Sequence, residues 1–369
     1  MSLLDPIEDA IAAIARGEMV IVVDDDDREN EGDLIMAADR ATAEQMAFMI
    51  RHTSGIICVP LGAADARRLR LDPMVSANDA PMGTAFTVSV DYRHGLTTGI
   101  SADERTATVR ALANGNVGAE DFVRPGHVFP LVAKDGGVLV RSGHTEAAVD
   151  LARLAGSAPV GVIGELVNDD GTVKRLPQCR AFAGEHGLKI VSIADLIDYR
   201  QRREHLVQRI AAFDLQTAAG TAEAVVYQTP FDSLQQIAIV FGDVAGDAPV
   251  LTRIHRERVL ADLFAAEVGG GDARRSLLRI GAEGRGVLVF LRDGLAVPPA
   301  ELAGDGAVDA EGHASAAARR ARWREVGIGA QILKDLGIHR IRLLSSSHRQ
   351  YVGLGGFGIE IVETEPIEG

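Results

Sequence analysis

The chain has 369 residues, which predicts two domains, and its 47% hydrophobic content can fill two cores, mostly aliphatic because aromatic residues make up only 4%. A net charge of −14 argues against nonspecific nucleic-acid binding and against an anionic membrane surface. The two cysteines, Cys58 and Cys179, exclude a disulfide framework and a zinc ribbon.

The opening MSLLDPIEDAIAAIARGE reads as an amphipathic helix with Asp5 as N-cap, Pro6 at the first helical position and Gly17 at its end. It lacks the basic segment and unbroken apolar stretch of a secretory signal. No apolar run approaches the length of a membrane span, so the expectation is a cytoplasmic, soluble enzyme. Strands are predicted at 19–23, 34–37, 56–60, 85–91, 138–141 and 160–166. Helices are predicted at 5–16, 42–52, 103–113, 145–155 and 192–200. This alternation describes a mixed α/β domain. The charged stretch YRQRREHLVQR at 199–209 reads as a helical connector and divides a first domain, 1–203, from a second, 204–369. In the second, strands are predicted at 221–228, 236–242 and 248–254, and a helix at 256–267. A helix leading to a strand follows at 276–291. The Ala-, Gly- and Asp-rich segment 294–319 reads as a mobile loop. A helix near 326–336 and strands at 339–344 and 358–363 close the chain.

Four segments carry chemistry. In DDDDRENEGD, residues 24–33, seven of ten residues are acidic, and the run follows the apolar EMVIVV. Arg28 interrupts it with a forked donor for phosphate or carboxylate, and Gly32 permits a tight backbone path. It is not an EF-hand loop, because Arg28 and Asn30 fall at positions that such a loop reserves for a ligand and a glycine. A magnesium or manganese site remains open to it. In RSGHTEA, 141–147, Arg141 ends a predicted strand, Ser142 and Gly143 turn, and Thr145 and Glu146 begin a helix. Such a junction offers backbone N–H groups to an anion. His144 there is either a capping or packing residue or part of the site. In RPGHVFPL, 124–131, two prolines and a glycine hold His127 in a predicted rigid turn, which suits a general acid or base. Glu165 closes an apolar strand, where partial burial can tune a carboxylate. GLGGFG at 353–358 satisfies a dinucleotide pattern, but the strand-like IEIV follows it where a helix is required, so it reads as a turn.

Together and in this order, DDDDRENEGD, RHTSGIICVPL, TTGISADERTATVR, RPGHVFPL, RSGHTEAAVDL and GELVNDDGT closely resemble 3,4-dihydroxy-2-butanone 4-phosphate synthase of riboflavin biosynthesis, over residues 5–200. The resemblance implies conversion of D-ribulose 5-phosphate to 3,4-dihydroxy-2-butanone 4-phosphate and formate with Mg²⁺ or Mn²⁺, two ions per subunit. It implies that Glu29 and His144 hold the metal pair. It places Arg28, Glu29, Asp33, Arg141, Ser142, Gly143, His144, Thr145 and Glu165 at substrate-binding positions, and His127 and Glu165 at catalytic ones. Ser142 stands where the family often has glycine. A homodimer with sites near its interface is implied as well. The chemistry agrees: a chelated ketose forms an enediolate more readily, and several proton transfers need more than one acid/base group.

From about residue 205 the chain resembles GTP cyclohydrolase II, through VLTRIHRERVLADLF, AEGRGVLVFLRDG and REVGIGAQILKDLGIHRIRLLSSS. The resemblance implies a second α/β fold, but not its chemistry. Arg258, Gly269 and Gly271 stand at the family's three zinc-binding cysteines, Phe290 replaces its tyrosine, and Ser345-Ser346-Ser347-His348 replaces Asn-Asn-Pro. No cysteine follows Cys179, so no zinc is expected. The expectation is a half that does not open GTP. The alternatives are a bifunctional enzyme, a C-terminal ligand-binding or regulatory module, and a wholly non-catalytic regulator.

Overall fold

Ile21 and Val23 pack into one apolar cluster while Val20 and Val22 pack into another, so the first strand is buried on both faces. That is why its sequence reads as an unbroken apolar run rather than an alternation. The computed structural model describes residues 3–24, 29–80, 82–230, 232–259, 262, 271–292, 327–345 and 354–367. The chain divides into two units, Met1–Tyr199 and Arg200–Gly369.

In the first unit the strands are β1 (Val20–Val23), β2 (Gly32–Ala37), β3 (Cys58–Gly62), β4 (Val90–Tyr92), β5 (Phe122–Ala133), β6 (Gly161–Glu165) and β7 (Lys189–Ser192). They form one mixed sheet in the order β4-β5-β3-β6-β2-β1-β7. The helices are α1 (Ile7–Ala15), α2 (Ala43–His52), α3 (Ala63–Arg68), α4 (Ala102–Leu112), α5 (His144–Leu154), α6 (Leu176–His186) and α7 (Ile193–Arg203). Residues of α1, α5 and α7 pack with Val20, Val22, Ile35 and Ile163 on one face. Residues of α2, α4 and α6 pack with Ile21, Leu34, Met36 and Val162 on the other. Each fully buried Val, Leu or Ile contributes about 1.5–3 kcal/mol, so this two-sided burial dominates the unit's stability. Thr42 and Ser101 start α2 and α4 with reciprocal capping boxes, Gln45 and Glu104 being their partners.

Three sequence expectations are corrected here. The run 138–141 is not a strand: Gly137–Leu139 forms a single 3₁₀ turn. Gly136 and Gly137 both have positive φ, and the Val138 N–H donates to the buried Asp150 carboxylate at 2.9 Å. RPGHVFPL is not a turn but the middle of the twelve-residue β5. Pro130 fits there because its carbonyl, which needs no N–H, accepts from both the backbone and the hydroxyl of Thr87. Of 85–91, only the end becomes a named strand, with Phe86 and Thr87 in isolated bridges.

The second unit carries β8 (Gln208–Thr217), β9 (Gly220–Thr229), β10 (Asp232–Phe241), β11 (Val250–Arg256), β12 (Gly286–Leu291), β13 (Arg340–Ser345) and β14 (Glu360–Pro366), in the order β14-β13-β11-β12-β10-β9-β8. Helices α8 (Asp272–Glu283) and α9 (Gly329–Asp335) accompany them. The expected connector ends in this sheet instead: β8 is its edge strand, and Arg209 pairs with Asp335 at 2.8 Å. A short 3₁₀ turn, Leu354–Phe357, precedes β14, as expected for GLGGFG. The predicted loop 294–319 and most of the predicted helix 256–267 lie outside the described residues.

Candidate active site

Alternate residues of a strand face the same side. Asp33 therefore shares a face with Ile35, and Glu165 with Ile163, and both apolar residues pack toward α5. Asp33 and Glu165 are also direct register partners across β2 and β6. Helix α5 begins at His144 with Gly143 as its N-cap. His144 and Thr145 are buried at that end. His144 Nε2 lies 3.1 Å from the Val22 carbonyl, which can only accept, so this nitrogen carries the proton. Nδ1 is thereby turned toward Glu29 Oε2, 3.5 Å away.

The acidic loop is folded onto its own first residue. The Asp24 carboxylate accepts the N–H groups of Glu29 and Glu31, each at 2.9 Å. Donor atoms of Asp24, Glu29 and His144 lie within 4.8 Å of one another. Carboxylate oxygens and an imidazole nitrogen suit a divalent cation such as Mn²⁺, and oxygen-rich sites suit Mg²⁺. The surroundings fit a cation too. Asp33 is 3% exposed, and its Oδ1 has no hydrogen-bond partner among the described residues. Burial pushes the Asp33 carboxyl up to about 7; the His144 charge opposes this, while Glu165, Glu29 and Glu31 add to it. Burial and the charges of Glu165 and Glu29 also raise Glu31. Burial works against a charged His144, but Asp33, the Glu29 hydrogen bond and Asp24 outweigh it and raise the imidazole to about 9.

Glu29, Asp33, His144, Thr145, Arg141 and Glu165 line one open cavity of about 140 Å³. Arg141 is aimed by a buried partner: its Nη1 donates to Glu146 at 2.7 Å, and Nη2 donates to the Met82 carbonyl at 3.1 Å. Glu146 is 1% exposed and also accepts the Lys134 N–H. Gly143 makes room for this arrangement, since a Cβ there would sit 2.5 Å from Arg141 Nη1. A guanidinium beside a helix N-terminus is suited to a phosphate. Cys58 lines the same cavity, but burial, then Asp33 and Glu165, push its thiol up to about 12. It is a neutral wall rather than a nucleophile.

His127 lies elsewhere on the sheet, and it is not among the residues lining the cavity. Its Nδ1 is 2.7 Å from Asp91 Oδ2, and its N–H donates to Asp91 Oδ1 at 2.8 Å. Asp91 is 3% exposed and holds the ring so that Nε2 is left for other partners. Gly99 packs against this pair, its would-be Cβ 2.2 Å from the Asp91 carboxylate. Ser142 and Gly143 form the turn into α5 rather than the cavity lining. Arg28 lies outside the described residues. Sequence reasoning passed over Asp91 and Glu146 and did not single out Asp24 within its run. The signal for Asp91 was the TTGIS segment that closes over it.

Carboxylates at facing ends of β2 and β6, with an arginine and an imidazole at the entry to α5, define the site of an enzyme on the first of two α/β units. A family model for 3,4-dihydroxy-2-butanone 4-phosphate synthase matches residues 8–199, and one for GTP cyclohydrolase II matches residues 208–366. The chain belongs to the 3,4-dihydroxy-2-butanone 4-phosphate synthase family. It is 47% identical over 381 residues to riboflavin biosynthesis protein RibBA of Nocardia farcinica, covering 100% of this chain and 91% of that protein. Its fold matches the crystal structure of RibBX, a two-domain 3,4-dihydroxy-2-butanone 4-phosphate synthase from A. baumannii. That match has a TM-score of 0.79 and 36% identity, and covers 98% of this chain and 99% of the other. A 3,4-dihydroxy-2-butanone 4-phosphate synthase in complex with two magnesium ions matches with a TM-score of 0.53 and 48% identity, over 54% of this chain and 98% of the other.

Proposed function

We propose that the first unit converts D-ribulose 5-phosphate to 3,4-dihydroxy-2-butanone 4-phosphate and formate, using two Mg²⁺ or Mn²⁺ ions held by Glu29 and His144 with Asp24 beside them. The observation that carries this reading is the convergence of Glu29 and His144, with Asp24 donor atoms close to theirs, on a cavity they share with Asp33, Glu165 and Arg141. When bound, the cations supply Lewis acidity at the substrate carbonyl and its neighbouring hydroxyl. Arg141 and the first turn of α5 receive the phosphate. Asp33, buried beside the metal donors and lining the cavity, takes and returns protons. Glu165, opposite Asp33 at the strand end, is the second proton carrier. His127, oriented by Asp91, protonates or positions the leaving hydroxyl. His127 does not line the cavity of its own chain; in this reading it acts in the site of a second copy, within the homodimer that the family resemblance implies. Among the described residues no helix is long and apolar enough to cross a membrane; we assign the enzyme to the cytoplasm.

The second unit does not open GTP in this reading. The chain has no cysteine beyond Cys179 from which to build the zinc site, and Phe290 lacks the hydroxyl of the tyrosine it replaces. Its retained core serves packing or regulation. Retention of the second activity is the rival, favoured by the family match over residues 208–366. Formate release by the purified full chain separates the two. Ribulose 5-phosphate with Mg²⁺ should yield formate that EDTA abolishes, and GTP with Zn²⁺ should yield none. No formate from ribulose 5-phosphate would end the first reading, and formate from GTP would establish the rival.

A further inference from the structure

Asp24 closes the acidic loop on itself. Arg175, immediately before α6, ties the loop to a separate element. Its Nη1 donates to the carbonyls of Glu29 and Asn30, each at 2.6 Å. Asn30 has φ 54°, the left-handed turn at which these two successive carbonyls meet one donor group. Helix α6 is itself fixed beneath the base of the loop: a Cβ on Gly32 would lie 2.5 Å from Cys179 Sγ. Arg175 thus reaches the loop from a seated element.

We propose that Arg175 is a positioning residue that sets cation affinity by fixing the backbone of Glu29 against α5 and His144. The proposal rests on the metal reading above. The guanidinium donates to the backbone carbonyls of Glu29 and Asn30, so its work is to hold the carboxylate donor of Glu29 in register with His144 Nδ1. Losing such outer support typically weakens metal binding about 10–100-fold. Arg175 is exposed, so replacing it leaves the core intact.

The test is Mn²⁺ titration of the full chain, followed by the electron paramagnetic resonance signal of free Mn²⁺, for wild type, Arg175→Met and Arg175→Lys. Arg175→Met should weaken binding about tenfold or more, and its lost turnover should return as Mg²⁺ is raised. Arg175→Lys, whose ammonium can still donate to both carbonyls, should recover most of the affinity. In EDTA, the Glu29 and Glu31 amides should exchange hydrogen faster in Arg175→Met than in wild type. Unchanged affinity and exchange in Arg175→Met would overturn the proposal, as would an Arg175→Lys protein as weak as Arg175→Met. If wild type binds no Mn²⁺, the metal reading fails, while the exchange measurement still decides whether Arg175 clamps the loop.

Discussion

The two units of this chain each carry a seven-stranded sheet, but they place their buried polar groups differently. In the first, Asp33 sits almost wholly buried beside Glu165 and His144, an arrangement costly to stability. In the second, near the corresponding family site, a carboxylate is held by an imidazole and a backbone N–H, although His255 Nδ1 is left without a hydrogen-bond partner among the described residues. His255 Nε2 lies 3.0 Å from both Asp262 oxygens, and the Arg258 N–H donates to the same carboxylate at 2.8 Å. Phe290 stacks on His255 with ring centroids 5.3 Å apart and pairs across β11 and β12 with it. Asp262 is engaged internally, whereas Asp33 has an oxygen left over. Apolar burial sustains a fold in both units, and the first adds a cluster of buried ionisable groups around one cavity.

The comparison breaks most sharply at Glu29 and His144. Glu29→Gln or His144→Ala should reduce formate release from ribulose 5-phosphate roughly 10³-fold or more, corresponding to about 4 kcal/mol of lost transition-state stabilisation. In the second unit, Phe290→Tyr should create no GTP-dependent formate, because the zinc ligands remain missing. Formate assays on both substrates check the pair. A smaller effect tests where His127 works. His127→Ala and His144→Ala should each be inactive alone. Mixed and allowed to exchange subunits, they should regain about a quarter of wild-type activity, since a mixed dimer carries one intact site. No recovery despite proven exchange would place His127 in its own chain's site.

The mildest effect lies in stability. The folded Asp33 carboxyl, near 7, holds its proton more tightly than the unfolded one, near 3.8. Its contribution is therefore fully present below 3.8 and lost as pH rises through about 7. His144 has the same sign: its contribution is present below 6.5 and lost as pH rises through about 9. In EDTA, Tm should fall from pH 5 to pH 9. Asp33→Asn should flatten the fall, because it removes one titration and the charge that raises the other. A wild-type Tm that rises over this range would refute the coupling.

Much of this was readable along the chain. The apolar run of β1, the capping boxes of α2 and α4, and the ordered motifs around Glu29, Asp33, His144 and Glu165 are local patterns, and local patterns survive without coordinates. The missing cysteines of the second unit needed only the residue letters. His127 was misplaced in a turn because proline and glycine usually signal one; β5 tolerates Pro130 where a neighbour needs only its carbonyl. The run 138–141 looked like a strand because burial alone makes any short apolar segment look like one. By itself the sequence determined which residues are acidic, basic or apolar, and at what period. Only the tertiary structure decided that Asp33 faces Glu165 across two strands, that Glu146 aims Arg141, that Asp91 holds His127, and that Arg175 grips a loop 145 residues upstream of it. Sheet register and helix seating make those pairings, and neither is written in the spacing of residues so far apart in the chain.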